Sequence, residues 1–292
     1  MKVLITGCCG QVGRALLASV PPAIQALALT RQQLDILDEV AVRSALAQFQ
    51  PSLIINAAAY TAVDKAESEP ELASAVNAQA PRHLAQAAQG IAGCRLLHIS
   101  TDYVFDGRAS EPYRPDDPAN PLSVYGRTKL QGERAVLEVL QERALVLRTA
   151  WVYAARGRNF LLTMLRLMRE RGVVRVVADQ YGAPTAAGSI ARSLWAIVQR
   201  PEVHGIVHWT DAGTASWYEF ALAIAEEARA AGLLPEPVQV TPITTAEYAT
   251  AAPRPAYSVL DMRAAIEQLD LAPVPWRLNL RATLAQLARI AA

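Results

Sequence analysis

The amino-acid sequence predicts an α/β fold, with a doubly wound parallel sheet and a smaller mixed α/β region at its C-terminal end. Short runs rich in valine, isoleucine and leucine alternate with segments of helical periodicity, which is typical of parallel strands covered by helices on both faces. A glycine-rich turn directly follows the first of these runs. With 292 residues, 52% of them apolar, the chain is long enough for one large domain and a smaller appended region.

Seven apolar runs are predicted to be strands, and four of the segments between them are predicted to be helices. The strands are residues 2–6, 25–29, 53–57, 95–100, 144–148, 173–177 and 205–209. The helices are residues 12–19, 38–49, 81–89 and 128–141. From residue 151 the alternation loosens and proline becomes frequent. Residues 1–150 are therefore predicted to form the main sheet domain, to which a strand near 205–209 returns, and residues 151–292 are predicted to form mainly a substrate-binding region.

The composition excludes several classes of partner. Lys and Arg number 28 against 27 Asp and Glu, so no basic surface for nucleic acid is expected. No apolar stretch approaches the roughly 18 residues that span a bilayer. The sequence opens on a strand-like run rather than on the charged and apolar regions of a signal peptide, so a soluble, unexported protein is expected. The three cysteines, Cys8, Cys9 and Cys94, have no Cys-x-x-Cys spacing and fit reduced thiols in the cytoplasm. His98 and His208 lie in apolar runs, where a structural histidine is favoured over a metal ligand.

The glycine turn is the first candidate binding site. Gly7, Gly10 and Gly13 follow the first strand at Gly-x-x-Gly-x-x-Gly spacing and precede a helical pattern. Glycine lets a turn adopt strained dihedrals and lets the backbone approach a pyrophosphate, which the N–H groups of the next helix can bind. This context favours a dinucleotide site, and hence a Rossmann-like sheet, over a purely structural tight turn.

The end of the second strand bears on the choice of dinucleotide. Many NAD-binding proteins carry an acid there for the ribose hydroxyls, whereas this chain reads Thr30-Arg31. Because an arginine can meet a 2′-phosphate, NADPH is favoured, with NADH possible; the other interpretation of Arg31 is a solvated side chain. Asp35, followed by Ile36, could accept from adenine or could cap the helix near Asp38.

A pair of side chains suited to proton transfer stands four residues apart. If the run from Tyr125 is helical, the phenol and the ammonium of Lys129 lie on one face about a turn apart. A phenol has an unperturbed pKa of about 10, and an adjacent cation favours its ionised form. Thr101 precedes the pair, where an apolar run gives way to polar residues. Surface helices carry such pairs routinely, so the pair alone is weak evidence.

Eight short motifs follow one another along the chain. They are Gly7-x-x-Gly10-x-x-Gly13, Asn56-Ala57-Ala58-Ala59-Tyr60-Thr61, Ala62-Val63-Asp64-Lys65-Ala66-Glu67, the run Ser100 to Gly107, Tyr125-x-x-x-Lys129, Arg148-Thr149-Ala150-Trp151-Val152-Tyr153, the run Asp179 to Thr185, and Arg254-Pro255 with Ser258-Val259-Leu260-Asp261. In this order they resemble the extended short-chain dehydrogenases/reductases and, within them, the dTDP-4-dehydrorhamnose reductase family.

The resemblance implies NAD(P)H-dependent reduction of the C4 ketone of dTDP-4-dehydro-L-rhamnose to dTDP-L-rhamnose. The cofactor-binding residues that follow are Gly7, Gly10, Gln11, Val12, Gly13, Thr30, Arg31, Asp35, Ile36, Ala59, Tyr60, Thr61, Tyr125 and Lys129. The substrate-binding residues are Thr101, Asp102, Tyr125 and Trp151, although a core aromatic is the other interpretation of Trp151.

Ketone reduction requires a hydride at carbon and a proton at oxygen. Tyr125 is predicted to be the general acid. Lys129 is predicted to stabilise the phenolate and to bind the nicotinamide ribose. Thr101 is predicted to donate a hydrogen bond to the same ketone oxygen. Many relatives carry serine at this position, and threonine keeps the hydroxyl.

Some members of this family dimerise around a magnesium ion held by glutamates, one of them early in the first helix. The first helix of this chain has no acid there, so no metal is expected and the chain is predicted to be a monomer or homodimer. Two alternatives remain: a non-catalytic regulatory subunit of the methionine adenosyltransferase type, and a nucleotide-sugar epimerase or dehydratase. An intact set of Thr101, Tyr125 and Lys129 favours catalysis over the first, and net NADPH consumption would exclude the second.

Overall fold

The computed structural model describes residues 1–291 and has a parallel sheet at its centre. The strands are β1 (Lys2–Thr6), β2 (Gln25–Leu29), β3 (Leu53–Asn56), β4 (Arg95–Thr101), β5 (Ala144–Thr149), β6 (Val152–Tyr153), β7 (Val173–Val177), β8 (Tyr181–Gly182), β9 (Thr185–Ala186), β10 (Gly205–His208), β11 (Ala215–Ser216) and β12 (Gln239–Ile243). The helices are α1 (Gln11–Ala18), α2 (Glu39–Phe49), α3 (Val63–Ala66), α4 (Pro70–Ser74), α5 (Ala80–Gln89), α6 (Val124–Leu140), α7 (Phe160–Arg171), α8 (Ala187–Val198), α9 (Trp217–Ala230), α10 (Arg263–Leu269) and α11 (Trp276–Ala291). A π-helical turn, Ala75–Gln79, joins α4 to α5.

The main sheet has the strand order β2-β1-β3-β4-β5-β10, and every neighbouring pair is parallel. The chain moves outward from β1 to β2 and then crosses to the other side of β1 to form β3. At such a switch point the connections diverge and leave a crevice outside the carboxyl ends of the strands, where open α/β sheets bind ligands. The predicted fold class is confirmed, and the seven predicted strands are present with ends that differ by no more than one residue.

Helices cover both faces of the sheet, which explains why its strands carry apolar side chains on both faces. In β1, Val3 and Ile5 belong to the core under α1 and α8, whereas Leu4 belongs to the core under α2, α5 and α6. All three side chains are fully buried. The predicted helix over residues 128–141 begins earlier, at Val124, because the Ser123 hydroxyl accepts the N–H of Gly126 and caps it there.

The second region, which comprises α7, α9, α11, β7 and β12, has its own core. Helices α7, α9 and α11 pack against the parallel pair β7 and β12 around Leu165, Phe220 and Leu280. Ser216 caps α9 in a capping box with Glu219, which sets Trp217 as the first residue of that helix. Within residues 1–291, no helix combines the length and the apolar character needed to cross a membrane.

Candidate active site

The turn between β1 and α1 requires glycine at two positions. Gly7 has φ +68°, and a Cβ there would lie 2.5 Å from the carbonyl carbon of Ala57. A Cβ on Gly13 would lie 2.3 Å from the Gly7 carbonyl oxygen. Gly10 occupies the N-cap position of α1 and offers no side chain to its first N–H groups. The N-terminal end of α1 can therefore bind phosphate oxygens through backbone N–H groups.

A cavity of about 340 Å³ opens beside this turn at the carboxyl ends of β1, β2 and β3. Seven of the predicted cofactor residues line it: Gly7, Gly10, Arg31, Asp35, Ile36, Ala59 and Tyr60. Leu29, Leu34, Leu72 and Val76 add an apolar surface. Apolar walls with a few polar groups are what an adenosine moiety requires. Arg31 is largely exposed and lies 3.8 Å from Asp35.

Other predicted cofactor residues lie outside the lining of this cavity. Gln11 faces a different cavity, of about 520 Å³, and its side-chain oxygen accepts from the Asn159 amide at 2.7 Å. The Thr30 N–H is bound by the Gln33 side chain at 2.9 Å. Thr61 is exposed beyond Tyr60. Their roles toward a cofactor stay predictions.

The first turn of α6 is pressed against the turn that follows β4. A Cβ on Gly126 would lie 2.2 Å from the Tyr103 carbonyl oxygen, so only glycine permits this approach. The Tyr103 and Tyr125 rings meet edge to face, with centroids 5.9 Å apart. The Val124 N–H donates to the Glu67 carboxylate at 2.7 Å and helps to hold the start of the helix. Tyr125 is thereby brought to Thr101, at the end of β4.

Burial raises the pKa of Tyr125 to about 12, an effect that the neighbouring Thr101 hydroxyl partly opposes. The sequence had suggested the opposite direction, a phenol made more acidic by Lys129. The raised pKa keeps the phenol protonated at neutral pH, which is the state that a proton donor needs.

Lys129 is almost fully buried, with 1% of its surface exposed. Its Nζ donates to the Ile99 carbonyl oxygen at 2.7 Å and lies 3.2 Å from Nε2 of His98. Burial lowers the pKa of Lys129 to about 8, and Glu133 opposes that shift. Burial, and then Lys129, lower the pKa of His98 well below its ordinary value. The sequence predicts only a structural role for His98. Its contact with Lys129 arises because α6 packs against β4.

A buried ion pair lies under the same end of the sheet. Arg148 on β5 and Glu133 on α6 have side chains 3% and 1% exposed, and two guanidinium nitrogens meet the carboxylate. Ser100 on β4 also donates to Glu133. A bidentate pair is directional as well as strong, so it fixes α6 relative to both strands. The sequence motif contained Arg148 without indicating its partner.

Asp102 follows Thr101 and is only 2% exposed. Its Oδ1 lies 3.0 Å from the Thr101 hydroxyl, and its Oδ2 accepts from the Ser258 hydroxyl at 2.5 Å. Both carboxylate oxygens are thus engaged within the protein. The predicted contact between Asp102 and the sugar stays a prediction.

A cavity of about 530 Å³ lies between the sheet domain and the second region. Its lining combines aromatic and charged side chains: Tyr103, Phe160, Trp217, Tyr248, Arg175, Arg254 and Asp64. Arg254 pairs with Asp64 at 2.8 Å, and Arg175 lies 3.3 Å from Glu247. Two cations among aromatic rings suit a ligand that has a planar base and a diphosphate. Most of these residues carried no local signal in the sequence, because they come from separate loops and helices.

Trp151 supports this cavity from behind. It has φ +46°, an uncommon conformation for a bulky residue. Its indole stacks on that of Trp217, with centroids 3.4 Å apart and planes 4° apart. A Cβ on Gly182 would lie 2.5 Å from the Trp151 ring. One face of Trp151 is therefore covered by Trp217, which itself lines the cavity.

Residues 1–291 contain no group of three or more His, Cys, Asp or Glu arranged to hold a metal ion. Cys8, Cys9 and Cys94 are free thiols. The expectation that the reaction needs no metal stays a prediction.

Comparison with known proteins confirms the family resemblance. The family described as RmlD substrate binding domain matches residues 1–289. A dTDP-4-dehydrorhamnose reductase from Aggregatibacter actinomycetemcomitans is 42% identical over 287 residues, which cover 96% of this chain and 97% of the relative. A probable dTDP-4,6-dihydroxy-2-methyloxan-3-one 4-ketoreductase from Streptomyces antibioticus is 45% identical over 261 residues, covering 89% and 86%.

Solved structures agree with this. A dTDP-4-dehydrorhamnose reductase from Clostridium acetobutylicum has a TM-score of 0.92 at 38% identity, covering 98% of this chain and 99% of that one. A dTDP-4-dehydrorhamnose reductase from Bacillus anthracis, solved in complex with NADP, has a TM-score of 0.92 at 34% identity with the same coverage.

Proposed function

Because this chain belongs to the family described as RmlD substrate binding domain, which its dTDP-4-dehydrorhamnose reductase relatives share, we propose that Thr101, Tyr125 and Lys129 form its catalytic site. The enzyme is an NAD(P)H-dependent reductase that converts the C4 ketone of dTDP-4-dehydro-L-rhamnose into the alcohol of dTDP-L-rhamnose.

The residues around the glycine turn fit a dinucleotide. A Cβ at Gly7 or Gly13 would collide with backbone. The Gly10 N–H donates to the Gly7 carbonyl at 2.9 Å and closes the turn, which leaves the N–H groups of Gln11 and Val12 at the start of α1 for a pyrophosphate. Arg31 borders the adenosine cavity and is the candidate partner for a 2′-phosphate. The bound nicotinamide supplies the hydride. NADPH is the preferred form in this proposal, supported by the NADP complex of the Bacillus anthracis relative.

The three catalytic side chains have different roles in the reduction of the ketone. Tyr125 donates the proton to the ketone oxygen as negative charge develops. Its half-buried position raises its pKa and keeps that proton in place until then. Thr101 donates a hydrogen bond to the same oxygen. Lys129, buried beside the Ile99 carbonyl, stabilises the phenolate that Tyr125 leaves behind.

The large aromatic and basic cavity is proposed to hold the nucleotide part of the substrate. Arg175 and Arg254 are candidates to bind the diphosphate, and both already face carboxylates that position them. Trp217 offers an aromatic surface to the base or the sugar. Trp151 would then act on the sugar directly or by holding Trp217 in place.

The observation that carries the proposal is that the Tyr125 phenol lies beside the Thr101 hydroxyl at the carboxyl end of β4, in a fold that also has a dinucleotide-type glycine turn and an aromatic cavity with two arginines. The test is to follow NADPH oxidation with dTDP-4-dehydrorhamnose, with NADH and with a UDP-linked analogue in parallel. Rapid, stoichiometric oxidation of NADPH with the dTDP sugar supports the proposal. Absence of net oxidation with retained cofactor would instead indicate an epimerase or dehydratase.

We further propose a cellular location and an oligomeric state for the enzyme. The enzyme acts in the cytoplasm, where Cys8, Cys9 and Cys94 stay reduced. It works as a monomer or a homodimer, which sedimentation of the purified protein would decide.

A further inference from the structure

The hydroxyl of Thr101 has several hydrogen-bonding neighbours but only one proton to donate. Its Oγ1 accepts the N–H of Tyr103 at 3.2 Å, lies 3.0 Å from Asp102 Oδ1, and neighbours the Tyr125 phenol. A hydroxyl has one proton to donate, and an ionised carboxylate can only accept. While Asp102 is ionised, it takes the Thr101 proton. None then remains for a ketone oxygen.

A neutral Asp102 reverses this arrangement. A carboxylic acid has one O–H donor, and with that proton on Oδ1 it donates to Thr101. Thr101 then accepts from Asp102 and from the Tyr103 N–H, which leaves its own proton free to point outward. Oδ2 keeps its hydrogen bond from Ser258 in both states. The structure thus accommodates both protonation states without moving a heavy atom.

The surroundings of Asp102 place the two states close in energy. Burial raises the pKa of Asp102 to about 7, while the hydroxyls of Ser258 and Thr101 hold it down. The titratable groups that face it are the phenols of Tyr103 and Tyr125, and burial raises the pKa of each.

Two cations on neighbouring elements are engaged with other groups. Arg254, which precedes Ser258 in the C-terminal segment, borders Tyr103 and is paired with Asp64. Lys129 on α6 is held by the Ile99 carbonyl. The segment that includes Ser258 is itself fixed, because the Ser258 N–H donates to the Tyr181 carbonyl at 2.8 Å.

We propose that Asp102, held by Ser258, is a positioning residue that decides whether the Thr101 proton points to the substrate oxygen. The inference rests on the proposed function and deepens it, because Asp102 acts on the ketone only through Thr101. The active form has a neutral Asp102, and turnover falls as the pH rises and Asp102 ionises.

Two variants test this through the pH profile of single-turnover NADPH oxidation. In Asp102→Asn, the amide nitrogen donates to Thr101 and the amide oxygen accepts from Ser258, which copies the neutral acid at every pH. Ser258→Ala removes a donor that stabilises the carboxylate. Ser193→Ala is the matched control, because that buried serine on α8 bonds only to the Ile190 carbonyl.

The wild-type rate is expected to fall by up to about 100-fold on the alkaline side, the cost of one lost donor to the developing oxyanion. Asp102→Asn removes the part of that fall that sets in near neutrality and leaves the part that follows deprotonation of Lys129, whose pKa is about 8. Ser258→Ala moves the first part to higher pH, and Ser193→Ala leaves both in place. An unchanged alkaline fall in Asp102→Asn overturns the proposal. So does loss of activity at every pH in a folded Asp102→Asn, which would show that the carboxyl proton itself is consumed.

A second readout needs no substrate. Infrared difference spectra of the wild type against Asp102→Asn should show a carboxylic acid band that disappears as the pH rises through neutrality. If Asp102 is already ionised at all pH values tested, the proposal fails. If the protein reduces no keto sugar at any pH, the proposed function fails, and the infrared titration still decides the protonation of Asp102.

Discussion

Replacing Arg148 by methionine should destabilise the protein strongly, because it leaves the Glu133 carboxylate buried without a counter-charge. The two side chains are 3% and 1% exposed and 2.7 Å apart. Arg148 also donates to the Pro115 carbonyl and lies 5.1 Å from the Phe105 ring. Breaking such a pair from one side costs about 3–5 kcal/mol. Thermal unfolding of a chain this long has an entropy of about 0.6 kcal/mol/K, so the melting temperature should fall by about 5–8 °C.

The assays are thermal unfolding for the melting temperature and urea unfolding for the free energy, both followed by circular dichroism, with Arg263→Met as the control. Arg263 pairs with Asp261 at 2.5 Å, but its side chain is 79% exposed, so its loss should leave the free energy of unfolding nearly unchanged. Glu133→Leu combined with Arg148→Met should recover much of the loss, because no unpaired charge remains. Equal costs for Arg148→Met and Arg263→Met would refute the reasoning.

Three further predictions concern catalysis, cofactor choice and pH. Tyr125→Phe should lower single-turnover reduction by about 10²–10⁴-fold while NADPH binding, measured by fluorescence, persists; full turnover would remove Tyr125 as the acid. Arg31→Asp should weaken NADPH about 10–100-fold, the cost of a hydrogen bond to a charged group, and should spare NADH; equal losses for both cofactors in KM measurements would show that Arg31 does not read the phosphate. Burial, and then Arg148, lower the pKa of His208 to about 3. Between pH 6.5 and that value, His208 is therefore protonated in the unfolded chain and neutral in the folded one. Stability should therefore decrease from about pH 6.5 toward pH 3, by about 2 kcal/mol per buried histidine between pH 6.5 and 5, and urea unfolding of His208→Asn should show a shallower slope; an unchanged slope contradicts this.

Local patterns predicted the main sheet well. The strands are short apolar runs bounded by turn residues, and a run such as Leu53–Asn56, buried on both faces, can be recognised without knowledge of its neighbours. The glycine turn was equally local, since the collisions that forbid a Cβ at Gly13 arise from Gly7 and Cys8, a few residues away. One helix start was less well placed, because α6 was predicted to begin at residue 128 and begins at Val124. The start of α6 depends on Ser123 and on the distant Glu67.

The candidate site divides in the same way. Thr101, Tyr125 and Lys129 were found because motif spacing and the resemblance named them. The electrostatics were not predictable, because burial, rather than the neighbouring Lys129, dominates the pKa of Tyr125. Burial depends on how α6 packs against the turn after β4, and no local pattern encodes that contact.

What the sequence by itself determined is the order of the elements, the glycine turn, and the identity of the side chains that can transfer a proton. These follow from local dihedral preferences, apolar periodicity and side-chain chemistry. Only the tertiary structure decided which groups share those protons: Asp102 with Ser258, Lys129 with His98, and Arg148 with Glu133. The partners come from elements far apart in the chain, and their energies depend on exclusion of water, which exists only once the sheet and its helices have packed together.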